Sequence, residues 1–208
     1  MMHVLATFLK SPFAQQLNGS VQADAVEGLT GYIQEILDGA MSSPMSFGLL
    51  RNYLDDMSAD GQGFPEISGS MLLASVAYQM AVLRLDVFAS SSSSNSSNST
   101  FFNSNSTYIL WAGNIRAAVL GAYDASGKPH ITKTGIATPA VDPLNRHNTT
   151  LYTSSSPEGQ NFVVLMYAAG RDGVYAEVCG NPLAASGSGG TTTTGSVTAG
   201  AATTTENS

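Results

Sequence analysis

The chain has 208 residues, 43 % of them hydrophobic, and carries 8 Lys+Arg against 15 Asp+Glu for a net charge of −7. That length holds one domain with enough apolar material for a real core, while a pI near 4.7 opposes a nucleic-acid backbone and an anionic lipid surface alike as partners. Gln79, Arg84 and Asp86 interrupt the longest apolar stretch, which falls short of the ~20 residues a membrane span needs.

Residues 2–9 have helical composition with no capping residue ahead of them, so a first helix there looks cut. The opening MMHVLATFLK lacks a basic leader region and does not read as a signal peptide. N-glycosylation sequons at Asn18, Asn95, Asn98, Asn105 and Asn148 have meaning only in a secreted chain, but three of them arise inside a Ser/Asn tract by composition. Ser20 opens a second helix. Its apolar positions Val21, Ala25, Leu29, Tyr32, Ile33, Ile36 and Leu37 recur at helical spacing, Asp24, Glu27, Gln34 and Glu35 form a wet face, and Gly39 is the expected stop. Residues 40–63 read as a solvated, loop-rich connection carrying Arg51, Asp55 and Asp56.

The segment GFPEISGSMLLASVAYQMAVLRL follows. Pro65 and Gly69 bracket its start, Ser68 is the expected N-cap, and Glu66 places negative charge near the positive end of the helix dipole. From 71 to 88 the only polar side chains are Ser75, Gln79, Arg84 and Asp86, the pattern of an inner helix covered on most sides. Residues 89–106 form a low-complexity insertion too polar to bury, expected to be disordered. A helix then carries the stripe Tyr108, Trp111, Ile115, Val119 and Ala122 up to a turn at 124–127, making an antiparallel hairpin with its predecessor. Trp111 reads as core on that stripe. Residues 128–152, with Pro129, Pro139 and Pro143, read as long irregular chain of the functional or disordered kind.

Ser156-Pro157-Glu158 is the clearest helix start: a capping hydroxyl, a proline whose missing N–H loses nothing there, and a first-turn carboxylate. That helix runs to about Arg171 and is apolar on most faces. The lone Cys179 reads as a buried small hydrophobe, and His3, His130 and His147 have no metal-ligand spacing. The Thr/Ser/Gly tail over 181–208 reads as unstructured, of the kind O-glycosylated in secreted stalks. With no regular strand pattern, the chain is expected to be all-α. Its hairpins each pair a wet helix with a buried one, as in an α-solenoid or a closed α/α toroid with inner-helix ends around a central pocket.

Taken together and in order, LLRNYLDD (49–56), FPEISGSMLLASVAYQMAVLRL (64–85) and SPEGQNFVVLMYAAGRD (156–172) resemble the C-terminal half of fungal members of the unsaturated rhamnogalacturonyl hydrolase family, six-hairpin glycosidases with an (α/α)6 barrel. The resemblance spans about residues 2 to 179 and implies a partial (α/α)6 toroid over 1–180 in a secreted parent protein. It implies removal of a terminal unsaturated galacturonic acid from rhamnogalacturonan fragments during pectin breakdown, with no metal or organic cofactor. In such enzymes an aspartate protonates the C4–C5 double bond, water adds at C5 and the hemiketal opens, unlike the usual two-carboxylate scheme. The family's catalytic aspartate and most of its sugar-binding residues belong to the other half of the barrel. The expectation is therefore a fragment or truncated product with no catalytic residue and no activity of its own. Its partner, in a complete barrel, is an unsaturated galacturonyl oligosaccharide, with no nucleic-acid or membrane partner.

The residues the resemblance points to as substrate-binding are Glu66, Ser68 and Ser70 at one buried-helix start and Ser156 and Glu158 at the other. Each glutamate also serves its own helix as a first-turn carboxylate. Two other readings stay open: a non-catalytic secreted helical interaction module, and an α/α-toroid enzyme acting on a different uronic acid.

Overall fold

The computed structural model describes residues 11, 12, 16, 19–57, 63–89, 106–142, 144, 145 and 150–179. The expected first helix over 2–9, the Ser/Asn tract from 90 to 105 and the tail from 181 lie outside them. Five helices of the described residues, α1 (Gly19–Ser42), α2 (Ile67–Leu83), α3 (Leu85–Phe88), α4 (Thr107–Ala118) and α5 (Pro157–Tyr175), pack around one core, and a short hairpin of β1 (Met45–Ser46) and β2 (Leu49–Leu50) joins α1 to α2.

α1 passes straight through Gly39, where an added Cβ would meet nothing within 4 Å. The helix ends three residues later, where the Ser42 and Ser43 hydroxyls both turn back to donate to Gly39 O at 2.9 Å. Of its expected stripe, Ile33 and Leu37 are fully buried, whereas Tyr32 and Ile36 are 64 % and 47 % exposed. At 3.6 residues per turn these two lie beside the core-facing line rather than on it.

The hairpin corrects the all-α expectation. Ser46 pairs antiparallel with Leu49, and the two turn residues both take positive φ, +48° at Phe47 and +80° at Gly48, as a tight hairpin turn demands. A Cβ at Gly48 would stand 2.4 Å from the Cβ of Ala118, so the turn is seated on the end of α4. Leu49 and Leu50 are core residues, and the connection is therefore not simply a solvated loop. Leu50 N donates to Ser70 Oγ at 2.9 Å, and Glu66 N donates to Leu50 O at 2.9 Å. β2 thus fixes where α2 begins.

α2 is the inner helix the composition predicts: Met71, Ala74, Val76, Ala77, Met80 and Ala81 are all fully buried. Burying a methionine side chain contributes about 1.5–3 kcal/mol, so Met71 and Met80 are large contributors. The helix stops at Leu83 instead of running to 88, because Arg84 leaves helical geometry (φ −131°, ψ 65°). Arg84 then donates to Thr30 Oγ1 at 2.7 Å and to Asp86 at 2.9 Å, tying this end to α1.

α4 returns antiparallel to α2, as expected of a hairpin. The Ser106 hydroxyl donates to Phe88 O, and the Phe88 and Tyr108 rings stand 4.9 Å apart. At the same end Tyr108 OH donates to Asp38 of α1 at 2.6 Å. Trp111 is core, and the helix ends at Ala118 rather than at 122.

α5 lies against α2 as the most closely packed helix pair, and it runs parallel to it. Gly159 faces Ile67 and Ser68, and Gly170 faces Tyr78, the same number of residues further along each helix. Tyr78 sits between Gly113 of α4 and Gly170 of α5 with the Arg116 guanidinium 5.8 Å from its ring centre, and burial pushes its hydroxyl up to about 12. α5 is more one-sided than its composition implies, since Val164, Tyr167 and Tyr175 are exposed at 67 %, 40 % and 79 %.

The described part of the stretch from 128 to 152 is ordered by isolated bridges, Ala122 with Pro129, Ile131 with Ala137, and Ala140 with Tyr152. At its centre His130 is fully buried, with Nδ1 3.1 Å from Thr138 O and Nε2 3.4 Å from Phe47 O.

Candidate functional site

Parallel packing brings the starts of α2 and α5 together, and the residues that start those helices meet across the gap. At α2 the N-cap is Glu66, in extended conformation, whose carboxylate accepts from Ser68 N at 2.8 Å and from Gly69 N. This corrects the expectation for Ser68, which lies inside the first turn. The longer glutamate reaches two of the free first-turn amides from two positions earlier. Glu66 is 6 % exposed.

At α5 the expected start is found as read. Ser156 Oγ accepts from Gly159 N at 3.2 Å and donates to Glu158 Oε2 at 3.0 Å, with Pro157 in the first helical position. Glu158 itself is exposed. Gly159 lies at this junction, where a Cβ would meet Ile67, Ser68 and Ser156 at 3.5–3.6 Å, ordinary contact distance.

Glu66, Ser68, Ser156 and Glu158 line one solvent-open cavity of about 280 Å³, completed by Val141 and Phe162. Ser70 does not join them. It is fully buried, donating to Glu66 O at 2.6 Å and accepting from Leu50 N, so its role is to hold the cap in place. The wall that carries Val141 is set by Ile67 N donating to Pro139 O at 3.0 Å and by the backbone pairing of Ala140 with Tyr152. The Gln160 amide, oriented as its neighbours require, donates to Gly135 O at 3.1 Å and accepts from Ala137 N at 2.6 Å, joining α5 to the same strap.

Two lining residues escaped the sequence. Phe162 lies one turn after Glu158 on α5, so i, i+4 spacing could have found it; Val141 sits in irregular chain that carries no periodic signal. Chemically the cavity offers carboxylate acceptors, serine hydroxyls and a short apolar wall. The Glu66 oxygens each accept one amide and keep lone pairs for a further donor. Among the described residues no group of three or more His, Cys, Asp or Glu side chains gathers in a way that could hold a metal ion. No described helix is long and apolar enough to cross a membrane.

Comparison with known proteins finds no matching family model, no matching curated protein and no matching solved structure.

Proposed function

We propose that the chain is a helical-hairpin protein of the unsaturated rhamnogalacturonyl hydrolase type, and that the cavity between α2 and α5 holds a sugar unit of a pectin-derived oligosaccharide without cleaving it. The observation that carries this reading is the parallel pairing of α2 and α5. In an α/α toroid the inner helices run side by side in one direction and present their starts to a common pocket, and here the two helices meet at a cavity in that manner. Four of the five residues to which the resemblance points line it. The partial toroid and the secreted setting are parts of the same proposal.

The test is a titration of the full chain with rhamnogalacturonan oligosaccharides, followed by amide chemical shifts. Shifts at Ser68, Gly69 and Gly159 that saturate, with no loss of the double-bond absorbance of an unsaturated substrate, are the expected outcome. Absence of any shift at these amides overturns the sugar-binding reading, and turnover overturns the inactivity.

The exposed stripe of Val164, Tyr167 and Tyr175 on the outer side of α5 favours a second reading, a non-catalytic module that adheres to cell-wall polysaccharide through that face. Under it, Tyr167→Ser combined with Tyr175→Ser abolishes retention on insoluble wall material. Unchanged retention counts against it.

A further inference from the structure

We infer that the α2/α5 cavity selects an uncharged sugar ring and rejects a uronate. This rests on the sugar-binding reading above and assigns the class of sugar that the cavity takes.

The six lining residues, Glu66, Ser68, Val141, Ser156, Glu158 and Phe162, include two carboxylates and no cation. Four of the described cations are engaged elsewhere. Arg84 pairs with Asp86, Lys128 with Asp124 and Arg171 with Asp172, while Arg51 donates to the carbonyls of Asp56 and Gly63. Among the described lining residues a sugar carboxylate entering the cavity meets two full negative charges and no cation, set against only the partial positive charge of the two helix starts that those carboxylates already serve. A neutral pyranose meets complementary groups. Its hydroxyls donate to the remaining lone pairs of Glu66 and Glu158, and the Ser68 hydroxyl, which has no side-chain partner among the described residues, is left to donate or accept. The C–H face of the ring packs on Phe162 and Val141, since an aromatic face is electron-rich and accepts polarised C–H groups. At about 280 Å³ the space is just under the roughly 300 Å³ at which pockets for drug-sized ligands begin, which leaves room for one ring rather than two.

In terms of an oligosaccharide that alternates charged and neutral sugars, the cavity takes the neutral unit, and the charged unit lies outside it.

The experiment titrates the full chain with methyl rhamnoside, methyl galactoside and methyl galacturonoside at low salt, reading the Ser68, Gly69 and Gly159 amides. The expected result is binding of at least one neutral glycoside at least ~10-fold tighter than the galacturonoside, the discrimination that like-charge contact supports. Glu158→Gln, which keeps the shape and the bond from Ser156, is expected to raise galacturonoside affinity and bring the ratio to within ~3-fold. Added salt should narrow it in the same direction, because the cavity is open to solvent. Galacturonoside binding equal to or tighter than the neutral sugars, or a ratio unmoved by Glu158→Gln, overturns the inference while leaving the sugar-binding reading standing. If none of the three glycosides moves these amides, both fall.

Discussion

Glu66 both caps α2 and lines the cavity, and its capping can be weighed alone. Removing an N-cap acceptor costs about 0.5–2 kcal/mol, so Glu66→Ala should lower the denaturation midpoint of the whole domain, while Glu66→Gln, whose carbonyl still accepts from one amide, should lose less. Chemical denaturation of the two variants measures this. The sequence showed that Glu66, Ser68 and Ser70 cluster at a helix start, but it could not show which backbone position leaves helical geometry first. That choice depends on Leu50 and Pro139, remote in sequence, whose carbonyls fix Glu66 N and Ile67 N.

His130 was wholly illegible, because a histidine between Pro129 and Ile131 in irregular chain has no periodicity to mark it as core. Its burial holds the imidazole below the usual value of 6.5, an effect that the two facing carbonyls only partly oppose. The unfolded chain therefore takes up a proton that the folded chain resists. Stability from this residue is fully present above pH 6.5, declines as pH falls below it, and levels off only beneath the folded pKa. Denaturation midpoints measured from pH 7.5 down to pH 5 should fall accordingly, and His130→Gln should flatten that part of the profile whatever its cost at neutral pH.

At the scale of the element, α5 is the helix whose start was read most accurately and whose surroundings were read least. Its serine, proline and glutamate act locally and so are visible locally. Periodicity shows which side of a helix is apolar, but not which neighbour covers it or in which direction the two run. The residues of α5 that face α2 include Gly159 and Gly170, which have no side chain to mark them. A tighter contact lies at the other end of α5: a Cβ at Gly173 would come within 2.5 Å of Cys179 Sγ in the chain that follows the helix. Gly173→Ala should destabilise by about 1–3 kcal/mol, the usual cost of overpacking. Adding Cys179→Ala removes the clashing sulfur, so the double variant should be more stable than the sum of the single changes predicts, by a margin that thermal melts of the four proteins in the cycle can read. Burial pushes that thiol up to about 11, so the cysteine fills space there rather than reacting. The shorter end of α2 was missed for a related reason. Arg84 is a good helix former by propensity, and its bond to the Thr30 hydroxyl, remote in sequence, is reached only in the folded molecule.

For the whole molecule, what the sequence disclosed was the one wet face of α1, the buried α2 and the pairing of α2 with α4; the second buried helix it led us to expect, α5, has an exposed face, and what it concealed was the small hairpin of β1 and β2. Strands of two residues are too short to show alternation, and the turn between them is Phe47-Gly48, of which only the glycine announces positive φ. The joint between Ser106 and Phe88 has a practical corollary. The chain leaves at Ala89 and returns at Ser106 at one buried point, clasped by a hydroxyl and two tilted aromatic rings. Replacing the tract between them with a four-residue Gly/Ser turn should leave the fold intact and raise stability by about 1 kcal/mol, since each halving of a closed loop returns ~0.6 kcal/mol. The same joint is a seam at which the gene could be opened, tagged or permuted, giving an engineer access to the protein from the end opposite the cavity.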